Sequence, residues 1–528
     1  MRTLMLLALG AGLAGAQCEG PEPVAVEIHS LGRPGCTGRV VRTEGVVTLG
    51  APGLQGFFVQ GPADGNAETS DGIFVFLGSA TVPDAGAVVT VTGRVTEFRR
   101  AGNPGFLLQI DGRMSATPLA RVEARGTAPL PEPVELDPRP DNSEGHLRAR
   151  LGMRVRYPAA VVTQPTNRFG EFWALRTDRT PRSIRPTVET YGDGVPVMID
   201  DVGDRLRLEV KSLDRVPELT GALHFDFGSF RIQPAEAYRA ADGGLAASRA
   251  ETAGTLRIAS MNVERLVRAL PAADRERKIE KLARVVREQL GEPDVIGVQE
   301  VEDQELLAEV GRRVGGYDAV VLASCDVGRI ANGLLWKTAR VRKLGEYQFQ
   351  QEAPEFRNGR CTLPDGRQFT QFLYDRPPLI VDLAAGEFRF TVAVNHWRSQ
   401  IGGNERERTF GAMALAEELQ RARREHVVVL GDLNDWEGSI PVLALAIEAR
   451  LHHLSYWVPN ADRYTLLFEG LSQTFDHILL SENLGGRVVR TGIAHFNADF
   501  PIAPFANDAS TPVRAADHDV PWVALRVP

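Results

Sequence analysis

The sequence contains little cysteine and, beyond its first residues, no long apolar run. Its four cysteines are spread over 528 residues, and no two of them have the C-x2-C spacing that structural zinc sites use. No segment after residue 17 approaches the roughly 20 uncharged apolar residues that a membrane-spanning helix needs. We therefore expect neither a four-cysteine zinc site nor insertion into a membrane.

The chain also lacks an excess of basic residues. Its 60 Lys and Arg residues stand against 68 Asp and Glu residues, which gives a formal charge of −8 and excludes a histone-like or ribosomal polycation. Hydrophobic residues make up 43% and charged residues 24% of the chain, which is typical of globular proteins and excludes disorder of the whole chain. The 52 glycines and 33 prolines are scattered, so the sequence predicts many turns and strands in about two to four domains.

The first 17 residues, MRTLMLLALGAGLAGAQ, have the composition of a secretory signal peptide. A basic residue, Arg2, precedes an apolar run over residues 4–13, and small residues follow at Ala14 and Ala16. We expect cleavage after Ala16 and a mature chain in the medium or the periplasm.

An even number of cysteines in an exported chain favours disulfide bonds. Proximity in the sequence predicts two pairs, Cys18 with Cys36 and Cys325 with Cys361.

Strand-like segments divide the chain into three regions. Short β segments separated by Gly, Asp and Pro clusters predict one β-rich module over residues 22–125 and a second over 140–238, joined by the linker PLPEPVELDPRPD. From residue 254 to 528, apolar strands alternate with helical segments such as 274–290, for which Asp274 is the expected cap. This last region predicts a two-sheet core flanked by helices, of α/β (α+β) class.

Polar side chains recur in residues 254–528 where apolar strands end. They occur in MNVER, GVQEVED, VNHWRS, GDLNDW, TFDHILLS and AADHDVPW. A single Asp or Asn after a strand is more often a turn former or a helix cap. Six such segments in one domain indicate a shared cleft, because loops after strands carry binding and catalytic groups.

The residue types in these segments favour a hard metal ion. Carboxylate and amide oxygens dominate, and the region has no HExxH motif or paired cysteines, so we expect Mg²⁺ or Mn²⁺, with Ca²⁺ as a further option. Phosphodiester hydrolysis needs a deprotonated water, a cation at the phosphoryl oxygens and stabilisation of the leaving oxygen. Carboxylates and two histidines can supply these needs.

In order along the chain, ASMNVERL, VIGVQEVED, VNHWRS, GDLNDW, TFDHILLS and DHDVPW resemble the successive motifs of the endonuclease/exonuclease/phosphatase superfamily, which has the deoxyribonuclease I-like fold. The resemblance covers residues 254–528. The signal peptide and the β modules, which resemble OB-fold domains, are similar to those of bacterial secreted extracellular nucleases in this superfamily.

The resemblance implies a role for each matching residue on the metal side of the site. Glu300 matches the glutamate that ligates the catalytic metal. Asn262 and Glu264 match residues that position the metal and the scissile phosphate, and Asp517 resembles a second carboxylate on the metal side.

The remaining matches concern water, phosphate and protons. Asp432 matches the aspartate that orients the attacking water, and Asn434 the amide that holds the phosphate. His518 resembles a histidine that accepts a proton or contacts the phosphate, and Asp476 the carboxylate that orients it. His396 resembles a second histidine, the general acid for the leaving 3′ oxygen.

Arg376 resembles an arginine of the secreted relatives that could clamp a phosphate with two hydrogen bonds; the alternative is an ordinary surface arginine. Trp397 and Trp436 could stack on bases or pack in the core. We expect His477 to point away from the site, because neighbouring residues of a strand face opposite sides. His452 and His453 are interpreted as surface residues.

These features predict a secreted, metal-dependent phosphodiesterase that acts on nucleic acid, with DNA preferred and RNA open. The substrate could instead be a lipid or a small organic phosphate, and a non-catalytic extracellular binding protein is a third alternative. A basic strip for DNA could include Arg340, Arg342, Lys343, Arg398, Arg406 and Arg408. A solvated charged surface explains most of these residues equally well.

Overall fold

The computed structural model describes residues 18–78, 81–136, 143–176, 195–200, 208–324, 326–349, 355–357, 360–362 and 373–528. The predicted signal peptide and Cys325 lie outside these ranges, and the side chain of Cys361 is not described, so the pairing of Cys325 with Cys361 stays a prediction. The Cys18–Cys36 disulfide is confirmed. No helix within the described ranges combines the length and apolar character needed to cross a membrane.

Within the described residues, the first half of the chain has strands as its main regular elements. A short helix, α1, spans Ser143–Arg148. The strands are β1 Val24–Ala25, β2 Val40–Ala51, β3 Gly56–Gln60, β4 Gly72–Phe76, β5 Ala87–Phe98, β6 Leu107–Asp111, β7 Arg121–Thr127, β8 Val134–Glu135, β9 Arg154–Tyr157, β10 Ala160–Gln164, β11 Phe172–Leu175, β12 Val197–Ile199, β13 Arg215–Val216, β14 Leu219–Asp226 and β15 Ser229–Pro234.

The second half alternates strands with helices. Its strands are β16 Leu256–Leu266, β17 Val295–Val301, β18 Tyr317–Val321, β19 Ala331–Lys337, β20 Arg342–Gln348, β21 Glu355–Arg357, β22 Arg360–Thr362, β23 Leu379–Ala385, β24 Phe388–His396, β25 Val427–Asp432, β26 Leu451–His453, β27 Leu466–Phe468, β28 Leu471–Gln473, β29 Asp476–Ser481, β30 Val488–Ala494 and β31 Val520–Leu525. Its helices are α2 Ala272–Arg284, α3 Gln304–Val314, α4 Glu405–Arg421, α5 Ile440–Glu448, α6 Glu482–Gly485 and α7 Ile502–Phe505.

The chain forms two compact units. Unit 1 consists of residues 1–160, 197–207 and 217–239, and unit 2 of residues 161–196, 208–216 and 240–528. In unit 1, β2 pairs with both β3 and β5, and β4 and β6 complete a closed ring in the order β2-β3-β4-β6-β5. Closure removes the exposed edges of a small sheet. Strands of the 140–238 segment belong to both units. The predicted OB-like character and the boundaries at 22–125 and 140–238 stay predictions.

Unit 2 contains the predicted two-sheet core flanked by helices. One sheet has the order β18-β19-β17-β16-β31-β30, and the other has the order β20-β23-β24-β25-β29-β26. Buried residues of both sheets, such as Ile258, Val295, Val392 and Leu430, share one apolar cluster. Helices α2 and α3 cover the first sheet, and α4 and α5 cover the second. The mixed α/β fold predicted for this region is confirmed.

The amphipathic helix predicted at 274–290 begins two residues earlier. Pro271 occupies the N-cap position of α2, and Asp274 lies in the first turn, where it pairs with Arg277. An acidic group in that turn still favours the helix through its dipole. Ile279 and Leu282 face the core, and the segment ends in a π-helical turn at Val285–Gln289.

Candidate active site

Strand direction brings the polar segments of unit 2 to one edge of the two sheets. β16 runs parallel to β17, and β24 runs parallel to β25, so their carboxyl ends coincide in pairs. β31 and β29 run antiparallel to β16 and β25, so they begin where those strands end. In the second sheet, Asp432 stands opposite His396 on one side and opposite Asp476 on the other.

Three predicted site residues have left-handed backbone conformations, which residues other than glycine rarely adopt. φ is +67° at Glu300, +49° at Glu264 and +49° at Asn434. The pairing register of β17 shifts between Gln299 and Val301, and that of β16 shifts after Asn262. Such irregularities redirect side chains at strand ends and concentrate at functional sites.

Asn262 links the two sheets at the centre of the site. Its Nδ2 atom donates to Asp432 Oδ2 at 3.0 Å and lies 3.3 Å from Glu300 Oε1. Its Oδ1 accepts the backbone N–H of Glu264 at 3.0 Å. The side chain is fully buried, with 1% exposed, so this amide fixes the separation of two carboxylates that belong to different sheets.

His396 faces the same two carboxylates without a hydrogen bond to either. Its Nε2 atom lies 3.6 Å from Asp432 Oδ2 and 3.9 Å from Glu300 Oε1. Its Nδ1 atom is buried and has no hydrogen-bond partner among the described residues. Burial, together with Arg376 and His518, lowers the pKa of His396 well below its ordinary value. The imidazole is therefore neutral, and the predicted role as general acid requires it to donate as a neutral N–H group.

His518 is held by Asp476. His518 Nδ1 lies 2.6 Å from Asp476 Oδ2, and Asp476 is completely buried. Burial alone would lower the pKa of His518, but the carboxylates of Asp476, Asp517 and Asp432 outweigh it and raise the pKa well above its ordinary value. The ring is thus an imidazolium that can contact a phosphate, one of the two roles predicted for it.

Asp432 is the carboxylate best suited to accept a proton near neutral pH. It is 2% exposed, and burial raises its pKa to about 7, with Asp476 and Glu300 adding to the effect and His518 opposing it. Its Oδ1 accepts the backbone N–H of Asn434 at 2.8 Å. A general base works best when its pKa is close to the operating pH, so the position fits the predicted activation of water.

The acidic residues predicted on the metal side, Glu300, Glu264 and Asp517, influence one another's charge. Burial and the nearby carboxylate of Asp517 raise the pKa of Glu300. Glu264 Oε2 lies 3.8 Å from Lys278 Nζ, a lysine of α2 that the sequence interpretation did not include. Neighbouring carboxylates repel one another unless a cation lies between them. Oxygen ligands favour hard cations for this position.

The residues present fit a divalent cation. Carboxylate oxygens of Asp432 and Asp476 lie within 4.8 Å of one another. The Oδ1 atom of Asp476 is buried without a hydrogen-bond partner among the described residues. Glu300, Asn262, Glu264 and Asp517 are the further residues that would hold the ion.

Arg376 is buried and has several partners. Its Nη1 atom donates to Asp326 Oδ1 at 2.8 Å, and its Nη2 and Nε atoms donate to the carbonyl oxygens of Trp397 and His396 at 2.6 and 3.3 Å. The guanidinium therefore holds the backbone that carries His396. Its predicted phosphate clamp stays a prediction, and the alternative of a surface arginine is wrong, because 9% of the residue is exposed.

Most of the proposed basic strip is neutralised within unit 2. Arg408 is buried against Asp435, with Nε 2.9 Å from Oδ2. Arg398 pairs with Asp375, Arg340 with Asp294 and Lys343 with Glu346. These four side chains are structural partners of acids, so they do not form a free basic surface.

The aromatic and histidine neighbours of the motifs divide into buried and exposed groups. Trp397 is 2% exposed and packs in the core, whereas Trp436 is 39% exposed. His477 points away from the site, as expected, and its Nδ1 lies 2.9 Å from His453 Nε2. His453 is buried, so its interpretation as a surface residue is wrong. The His453–His477 pair supports the GDLNDW segment, because His477 Nε2 contacts the carbonyl oxygen of Asp435 at 2.8 Å.

Asn497 is a buried residue that the sequence interpretation missed. Its Nδ2 atom donates to the carbonyl oxygen of His518 at 2.6 Å, and its Oδ1 accepts the N–H of Ala515 at 2.9 Å. It thereby fixes the turn that carries Asp517 and His518. The only signal in the sequence is a lone Asn in HFNADF, which nothing local distinguishes from a turn former.

Residues 259–510 match the model of the endonuclease/exonuclease/phosphatase family. Residues 259–510 belong to that family. The matched range contains five of the six strand-end segments, from MNVER to TFDHILLS. The sixth segment, AADHDVPW, lies beyond it, and its His518 joins the site through its contact with Asp476.

Several solved structures are similar to this domain. A Bacteroides vulgatus endonuclease/exonuclease/phosphatase is 14% identical, with TM-score 0.38, over 52% of this chain and 99% of its own. A mannosyl-6-phosphatase of Bacteroides thetaiotaomicron is 17% identical, with TM-score 0.38, over 52% and 100%. D. rerio TDP2 complexed with a single-strand DNA product is 16% identical, with TM-score 0.37, over 51% and 97%. No curated protein matches the chain.

Proposed function

We propose that the protein is a secreted, metal-dependent phosphodiesterase that hydrolyses nucleic acid, with DNA as its main substrate. The observation that carries the proposal is the meeting of Asn262, Glu300, Asp432 and His396 with the His518–Asp476 pair at one sheet edge. The endonuclease/exonuclease/phosphatase assignment of the domain supports hydrolysis of a phosphate ester. Export is part of the proposal and is supported by the composition of residues 1–17.

The side chains can divide the work of hydrolysis among them. Asp432 accepts a proton from the attacking water, because its pKa of about 7 places it near the operating pH. The His518 imidazolium, fixed by Asp476, contacts a negative phosphoryl oxygen. His396 Nε2 is available to the leaving oxygen as a neutral donor. A bound divalent cation would supply positive charge to the phosphate.

The decisive experiment measures nicking and linearisation of plasmid DNA by the mature protein with Mg²⁺, Mn²⁺ or Ca²⁺, beside an EDTA control. We expect metal-dependent cutting that Glu300→Ala and His518→Ala each abolish. Asp274→Asn, on the outer surface of α2, is the matched control and should cut at the wild-type rate. A folded wild-type protein that binds the metal but cuts neither DNA nor RNA would overturn the proposal and return weight to a binding role.

A second candidate substrate is the phosphodiester of a lipid head group. The observation that favours it is a set of exposed apolar side chains in and shortly after the GDLNDW segment, namely Trp436 at 39%, Ile440 at 63% and Ile447 at 69% exposure. Exposed patches of this kind can mark contact with lipid. Release of phosphorylated head groups from phosphatidylcholine vesicles, with no cutting of plasmid DNA, would favour this candidate over the nuclease.

A further inference from the structure

A buried lysine of α2 is surrounded by backbone oxygens. Lys281 is 2% exposed, and its Nζ atom donates to four carbonyl oxygens, at 2.9 Å to Phe505, 3.0 Å to Asp508, 2.9 Å to Thr511 and 2.7 Å to Val513. An ammonium group has three N–H donors, so at least one of them is shared between two acceptors. A shell of carbonyl oxygens is also how proteins hold inorganic cations.

The charge of Lys281 is balanced by peptide dipoles. No carboxylate of the described residues forms an ion pair with Nζ, and the nearest acid along the bound segment, Asp508, accepts from the backbone N–H and Oγ of Ser510. Burial of an ammonium group is costly unless hydrogen bonds replace its water. The four carbonyls can do so only if residues 505–513 curve around Nζ. We call residues 505–513 the lysine-bound arc.

The lysine-bound arc leads directly to the catalytic turn. Ala515 lies two residues after Val513, the last residue of the arc. Its carbonyl oxygen lies 3.4 Å from Nζ of Lys278, which is one helical turn before Lys281. Asn497 then holds the backbone of Ala515 and His518. The position of Asp517 and His518 thus depends on contacts that begin at α2.

We propose that Lys281 is a positioning residue whose ammonium group serves as an internal cation, which shapes residues 505–513 and so places Asp517 and His518 in the active site. The inference rests on the site described under the proposed function. It differs from a merely stabilising role because it predicts that loss of the charge changes the metal side of the site in a protein that is still folded.

The same geometry predicts chemical rescue. Lys281→Ala removes the ammonium and the alkyl chain, and leaves four carbonyl oxygens around an empty volume. Ammonium or methylammonium ions match the lost donor and should enter it, whereas tetramethylammonium has no N–H donor.

The test compares wild type, Lys281→Met and Lys281→Ala. Lys343→Met is the matched control, because Lys343 is a half-buried lysine that pairs with Glu346 within β20. Mn²⁺ affinity is measured by calorimetry, DNA cleavage by kcat and KM, and folding by circular dichroism at a temperature below the unfolding transition. We expect the Lys281 variants to bind Mn²⁺ about 10-fold more weakly and to lose about 10- to 100-fold in kcat, with KM nearly unchanged. Methylammonium should restore Lys281→Ala, and tetramethylammonium should not.

Two results would overturn the inference: a folded Lys281→Met protein with wild-type Mn²⁺ affinity and kcat, or variants that ammonium ions do not restore. If Lys281→Met does not fold, Lys281→Ala is refolded in methylammonium and in tetramethylammonium. Refolding in methylammonium alone supports the inference, and equal refolding in both contradicts it. If the wild type does not bind Mn²⁺, amide exchange over residues 514–518 replaces calorimetry, and unchanged exchange in Lys281→Ala contradicts the inference. Mn²⁺ binding and amide exchange need no substrate, so failure of the nuclease proposal is seen separately as absent cleavage by the wild type.

Discussion

Nδ1 of His518 lies 2.6 Å from Oδ2 of Asp476, although the two residues are 42 positions apart in the sequence. The carboxylate fixes the ring so that Nδ1 carries the hydrogen and Nε2 is presented to the cleft. Asp476→Asn keeps the shape of the side chain but removes the charge that raises the pKa of His518. We expect kcat for DNA cleavage to fall about 10²- to 10⁴-fold. The control Asp274→Asn should keep wild-type kcat, and an Asp476→Asn enzyme within twofold of it would contradict the assigned role.

The buried carboxyl of Asp432 predicts how the stability of the metal-free protein depends on pH. Its pKa is about 7 in the fold and about 3.9 in an unfolded chain. Because the folded pKa is the higher one, its stabilising contribution is complete below about pH 4 and is lost as the pH rises through about 7. Asp432→Asn removes this titration. Relative to that variant, the wild type in EDTA should lose up to about 4 kcal/mol of unfolding free energy between pH 4 and pH 8, measured by urea unfolding. Parallel curves for the two proteins would exclude the raised pKa.

Arg376 and Asp326 form a buried ion pair, with side chains 10% and 8% exposed. Arg376→Ala leaves the Asp326 carboxylate without its cation and frees the carbonyl oxygens of His396 and Trp397. We expect the unfolding free energy to fall by about 3–5 kcal/mol, whereas Arg389→Ala, at an exposed position of β24, should change it by less than about 0.5 kcal/mol. Urea unfolding measures both. A stable Arg376→Ala protein with a raised KM for DNA would instead support the phosphate clamp.

Gly431, just before Asp432, has no room for a side chain. A Cβ atom there would lie 1.9 Å from the carbonyl oxygen of Asn395 on the neighbouring strand, and φ is +136°. Gly431→Ala must push β24 and β25 apart, so we expect it to cost more than about 4 kcal/mol or to prevent folding. Gly438→Ala, where a Cβ atom meets nothing within 4 Å, is the control and should leave soluble yield and thermal unfolding unchanged. Equal stability of the two variants would contradict the close strand approach.

The sequence predicted the arrangement of unit 2 because its signals are local. Apolar strands that end in a carboxylate, amide or imidazole can be recognised from a few residues each, and their order along the chain resembles one family. The amphipathic spacing in α2 is local as well, although the N-cap is Pro271 and not the predicted Asp274.

Contacts between distant residues could not be predicted in the same way. Arg408 looked like part of a basic surface because its partner, Asp435, lies 27 positions away. His453 looked exposed because its contact with His477 spans 24 positions. The carbonyl oxygens around Lys281 lie 224 to 232 positions further along the chain, and backbone oxygens leave no trace in side-chain composition.

The sequence by itself determined which residue types stand at the strand ends, and hence the fold class. Only the tertiary structure decided the direction and charge of those groups. The left-handed backbone at Glu300 aims its carboxylate, burial gives Asp432 a pKa of about 7, and Asp476 keeps His518 charged. The reason is that pKa values and side-chain directions depend on neighbours that only folding brings together.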